Sequence, residues 1–138
     1  MMAIAKSESL NSIFIGGYMN GEKERLGTPA DEEAPIIARI DVTTNNWVWR
    51  KSFYADNKME AITSIAVNPQ GTQLFAYASE FKFDEYDEHS YMWVIRATDG
   101  HYVTEVTKIK WAGKDKGENI ADSNGLFFDQ YGMVYIAL

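Results

Sequence analysis

Hydrophobic residues in this chain come in short runs rich in Ile, Val, Phe, Tyr and Trp, and each run stops at a cluster of Gly, Asn, Asp, Pro or Ser. That pattern, with local alternation of apolar and polar positions, predicts strands; the spacing of three and four that an amphipathic helix needs fits poorly. The strands fall at Ala3–Lys6, Ile13–Gly17, Ile36–Val42 and Trp47–Phe53, then at Thr63–Val67, Leu74–Ala78, Tyr91–Ala97 and Tyr102–Ile109. A last pair follows, carried by Leu126-Phe127-Phe128 and Val134-Tyr135-Ile136. The turns between them have identifiable chemistry. Asn68-Pro69-Gln70-Gly71 predicts a type I turn: Asn bonds the local backbone, Pro presets φ, and Gly ends the turn. Asp129-Gln130-Tyr131-Gly132 repeats it. Asn45-Asn46 and Asp99-Gly100 predict tight type I′ hairpins, which need positive φ at two successive residues.

These strands repeat. Ile4-Ala5 and Ser12-Ile13-Phe14-Ile15 align with Ile65-Ala66 and Gln73-Leu74-Phe75-Ala76 at an offset of 61. Leu126 to Gly132 answers Ile65 to Gly71, and Val134-Tyr135-Ile136 answers Leu74-Phe75-Ala76. Ile40 to Val48 aligns with Ile95 to Val103 at an offset of 55, because the loop before it is long in the first unit, Met19 to Pro35, and short in the second, Glu80 to Ser90. Each unit is thus two hairpins in series, and a four-stranded meander repeated about every sixty residues is the pattern of a β-propeller blade.

The phrase Ala38-Arg39-Ile40-Asp41, a short turn, Trp47-Val48-Trp49, then Ile62 to Gly71 resembles the repeats of "seven-bladed" β-propellers, and more loosely quinoprotein and WD40-like blades. The resemblance covers nearly the whole chain and rests on structural motifs that propellers of unrelated function share; the Trp-Asp dipeptide of WD40 blades is absent. It implies an all-β, propeller-like fold of tandem four-stranded antiparallel meanders. Blade one takes 3–53, blade two 63–111 and a half blade 123–138, together one segment over 1–138. Propellers close with about 4 to 8 blades, so two and a half predict an incomplete propeller. A longer protein, several pooled copies or a heteromeric assembly would complete it.

The chain has 138 residues, 46% of them apolar and 24% charged, which is the range of one ordinary globular domain and excludes disorder for most of it. With 13 basic and 20 acidic residues the net charge is −7, which argues against nucleic acid or an anionic membrane as partner. The longest uncharged stretch, Ala61 to Ser79, is broken by Asn68, Pro69, Gln70, Gly71 and Gln73 and predicts no membrane span. There is no cysteine and no Asn-x-Ser/Thr sequon, and Met1 to Lys6 lacks the pattern of a secretory signal. These features point to an intracellular setting.

Candidate chemistry is sparse. Asp84, Glu85, Asp87 and Glu88, with Glu80, supply carboxylates but not the Asp-x-Asp-x-Asp-Gly order of a calcium loop, so a solvated loop without Ca²⁺ is expected. Phe81, Phe83 and Tyr86 stand among those acids, and with Asp84 and Glu85 they form the candidate partner-binding loop, since interface hot spots favour aromatics. His89 and His101 are the two histidines, both expected at the surface. Lys108, Lys110, Lys114 and Lys116 around Trp111 read as a charge-protected edge strand rather than a nucleic-acid surface. Gly113-Lys114-Asp115 lacks the Ser or Thr and the upstream Gly of a phosphate loop. Trp47, Trp49, Trp93 and Trp111 are expected mainly in the core. No nucleophile elbow, metal set or cofactor motif is present, so neither catalytic residue nor cofactor is expected. The reading is a non-enzymatic scaffold or protein-interaction module, joined by a protein partner or further blades and open to oligomerisation. Its rival is a ligand- or sugar-binding or enzymatic propeller whose site needs blades beyond these.

Overall fold

The computed structural model describes residues 3–20, 33–52, 60–80, 89–104, 107–110 and 125–137. Strands β1 (Ala3–Ser7), β2 (Ser12–Asn20), β3 (Glu33–Asp41) and β4 (Trp47–Ser52) pair in chain order into a first antiparallel sheet. β5 (Glu60–Val67), β6 (Gln73–Glu80), β7 (His89–Arg96) and β8 (Thr107–Lys110) do the same in a second, and β9 (Gly125–Phe128) pairs with β10 (Val134–Ala137) in a third. The expected all-β meanders are therefore present. The strands run further than the apolar runs did: β2 and β3 reach into the Met19 to Pro35 segment, and β5 starts at Glu60.

The second sheet is the middle layer. On one face Ile62, Ile65, Leu74, Ala76, Ala78, Tyr91, Trp93, Ile95 and Ala97 pack against Ala3, Phe14, Ile37 and Trp49 of the first sheet. On the other, Ala66 and Tyr77, with Phe75, meet Leu126, Phe128, Val134 and Ile136 of the third. Strict alternation would send Ile62 and Ile65 to opposite faces. A bulge between Ile62 and Ser64 resets the parity, so both reach the same core.

The turns depart from expectation in one place. Among the residues of the Asn45-Asn46 and Asp99-Gly100 hairpins, only Asn45 (φ 56°) and Gly100 (φ 73°) have positive φ, so neither is type I′. Both are wider loops. Asp41 N donates to Asn46 O while Asn45 N donates to Asp41 O, and Arg96, Gly100 and His101 repeat the arrangement 55 residues on. The aspartate side chains explain the choice: Asp41 Oδ1 accepts from Thr44 N at 2.7 Å, and Asp99 Oδ1 from His101 N at 3.0 Å, bonds that hold the longer loop. The fourth strand of the second unit also differs. It is not continuous over Tyr102 to Ile109, but a single bridge from Tyr102 to Ile95 precedes β8.

The other turns behave as expected, with Gly71 N donating to Asn68 O and Gly132 N to Asp129 O, and with φ of 69° and 81° at the two glycines. Their surroundings differ. A Cβ on Gly71 would lie 3.0 Å from Ser7 Oγ and 3.1 Å from Leu10 Cγ, because this turn rests on the first hairpin, whereas Gly132 faces open space. Gly132→Val is therefore expected to cost about 1 kcal/mol through backbone strain alone, and Gly71→Val more. Urea unfolding midpoints check this; no shift for either would remove the turn assignment.

Candidate functional site

The loop expected to carry a partner site, with Phe81, Phe83, Asp84, Glu85 and Tyr86, lies outside the described residues, as do Trp111, Lys114 and Lys116. The two histidines stand apart. His89 opens β7 opposite Lys110, while His101 sits beyond the other end of that strand, where its carbonyl accepts from Arg96 N. Eight residues of strand separate them by roughly 20 Å, so they form no pair. His101 Nδ1 lies 3.2 Å from Asp99 Oδ1 on the exposed surface. Lys108 and Lys110 lie on β8, an edge strand of its sheet, as expected of a charged edge. Trp93 and Trp49 are core residues, and Trp49 Nε1 donates to Ala97 O across the two sheets at 3.1 Å; Trp47 is exposed. Among the described residues no three His, Asp or Glu side chains gather where a metal ion would sit.

Part of the exposed apolar surface lies at the two ends of the stack; the rest includes Val42, Trp47 and Val48 at the β3–β4 hairpin and Tyr102 and Val103 after β7. The pairings make the three sheets comparable position by position. Ile4↔Ile15 in the first sheet corresponds to Ile65↔Ala76 in the second and Leu126↔Ile136 in the third. One residue along, Ala5↔Phe14 corresponds to Ala66↔Phe75 and Phe127↔Tyr135. Side chains of the first set face backward, toward the preceding sheet, and those of the second face forward, toward the next.

Two of these faces have no sheet against them among the described residues. Ile65 is 5% exposed beneath the first sheet, but Ile4, its counterpart, is 64% exposed, with Ile13, Ile15, Ile36 and Ile40 half-buried around it. Phe14 of the first sheet packs on Trp49 and Phe75 of the second meets Phe128 edge-on at 5.0 Å, whereas at the other end their counterpart Tyr135 is 46% exposed and stacks on Phe127, ring centroids 5.1 Å apart. The offset of 61 already held this correspondence. What it lacked was the parity of each strand, which decides the face a residue occupies.

The remaining polar feature is a set of turn carboxylates. Asp129 Oδ1 accepts from Tyr131 N and Met133 N, and its Oδ2 from the Tyr135 hydroxyl. The Thr44 and Met133 backbone N–H groups hold the Asp41 and Asp129 carboxyls below their ordinary value of 3.8, and the Arg96 side chain holds Asp99 far below it. Depressed values mean that these bonds contribute fully above pH 3.8 and are lost as pH falls through the folded-state values. Stability is thus expected to be unaffected by these groups above about pH 5 and to decline below 4. Urea midpoints between pH 6 and 2 test this, with Asp99→Asn showing a smaller acid loss than the parent chain.

No protein-family model and no curated protein sequence matches the chain.

Proposed function

We propose that the chain is a non-enzymatic scaffold or protein-interaction module of β-propeller type, whose stacked meanders belong to a larger propeller or assembly. One observation supports this above the others: the exposed Ile4 face of the first sheet is built from the same repeat positions as the face that the second sheet buries. An isoleucine exposed in water among half-buried isoleucines, as Ile4 is, is unfavourable, and contiguous apolar patches on soluble proteins mark interaction sites. The middle sheet, covered on both sides, is the environment that these positions suit. The described residues offer structural turns and core aromatics rather than a convergent polar site, which favours the scaffold over a ligand-binding or enzymatic reading.

Ile4→Glu tests the reading. It is expected to reduce binding of an apolar-surface dye to the dilute chain and to leave the unfolding midpoint within about 0.5 kcal/mol of the parent, the usual range for surface changes. Dye binding that Ile4→Glu does not alter would show that this face is no docking surface.

A further inference from the structure

The two open faces are the two halves of one interface type. Among the described residues both sheet contacts join a forward face to a backward face: Phe14 and Ala3 meet the Ile65, Leu74 and Trp93 side, and Phe75 and Ala66 meet the Leu126, Val134 and Ile136 side. The open face of the third sheet is a forward face, led by the Phe127↔Tyr135 pair. The open face of the first sheet is a backward face, led by Ile4, Ile13 and Ile15. We propose that a second copy of this chain docks head to tail, the Phe127–Tyr135 pair of one copy seated on the Ile4–Ile15 row of the next. This rests on the open-face reading above and names its occupant.

The side chains at the equivalent positions fit that occupant. Inside the molecule Phe75 sits edge-on to Phe128. By repeat position, Tyr135 replaces Phe75, and on the receiving sheet Lys6, paired with Ile13, replaces Phe128, paired with Val134. An apolar pair thus becomes a tyrosine facing an ammonium group. Tyr135 also brings Asp129, whose Oδ2 accepts from its hydroxyl, while Lys6 is exposed and pairs with Glu8 at 3.1 Å. An ammonium over an aromatic ring, with a carboxylate beside it, is favourable. A substitution that would be out of place in a core is therefore matched between the two ends of the chain. Self-complementary ends of this kind give a heterologous interface, whose growth ends in a ring when the rotation closes.

Each open face is blocked separately, with Ile4→Glu in one variant and Tyr135→Glu in another, and sedimentation velocity reads the full-length chains alone and mixed. Unfolding curves confirm that both variants fold, and Lys6→Glu serves as a second block of the Ile4 face. The expected result is association of the parent chain, monomers for each variant alone, and one 1:1 dimer at twice the mass of a single chain in the equimolar mixture. Tyr135→Phe is expected to associate more weakly than the parent and more strongly than Tyr135→Glu. A mixture that stays monomeric overturns the proposal, and so does Ile4→Glu dimerising by itself, which would mean that like faces pair. A monomeric mixture combined with the loss of dye binding in Ile4→Glu would reject the second copy as occupant while leaving the open-face reading in place.

Discussion

Ile65→Glu is expected to leave the chain largely unfolded, although the same change at Ile4 is expected to be tolerated. Ile65 is 5% exposed and lies between Gly16 of the first sheet and Ala76 of its own, in the core that joins the two sheets. A carboxylate there loses its water among apolar neighbours, and burying it, whether charged or neutralised by taking up a proton, costs several kcal/mol. Domains of this size are stable by only about 5 to 15 kcal/mol, so such a loss is decisive. Circular dichroism and urea titration of the two variants read the difference. Equal behaviour of Ile65→Glu and Ile4→Glu would mean that the two positions share an environment, which would contradict the stacking of the first sheet on the second.

Trp93→Ala carries the next largest expectation. Trp93 has no solvent exposure, continues the row begun by Ile65 and Ala76, and stacks on Tyr91 with centroids 6.0 Å apart at 28°. The small side chain of Ala76 beside it leaves the space that the indole fills. Removing the indole takes away its transfer free energy and leaves a cavity that paired strands cannot collapse around, a loss of about 3 to 5 kcal/mol. Trp93→Phe, which refills part of the space, is expected to lose less. Chemical denaturation checks the order, and a loss below about 1 kcal/mol for Trp93→Ala would place this residue outside the main core.

Much of this architecture is legible in the sequence. The offset of 61 put Phe14 beside Phe75 in the alignment, and the two do occupy equivalent forward positions in stacked sheets. Gly71 and Gly132 were identifiable by turn chemistry, and both have the positive φ that a side chain resists. Other features were hidden for physical reasons. Dipeptide preferences pointed to two-residue hairpins at Asn45 and Gly100, but the hydrogen bonds accepted by Asp41 and Asp99 select longer loops, and that competition is not visible in the dipeptide. The bulge at Ile62 to Ser64 depends on what lies across the sheet, so alternation counted along β5 misplaces one of its two isoleucines. The candidate site was the least legible part. Aromatics among acids point to Phe81, Phe83 and Tyr86, outside the described residues, while the open faces use residues that look like ordinary core in sequence. Among the described residues, the partner sheet present for Ile65 and not for Ile4 distinguishes them.

Two stacked four-stranded meanders and a hairpin, with an apolar face at each end, are expected not to form a self-sufficient unit. Light scattering of the purified, unmodified chain across a range of concentrations, paired with its unfolding curve, tests that claim most directly. Association into a discrete oligomer, or aggregation relieved by Ile4→Glu, is the predicted result. A soluble monomer of 15.7 kDa at every concentration, unfolding in one cooperative transition, would contradict it.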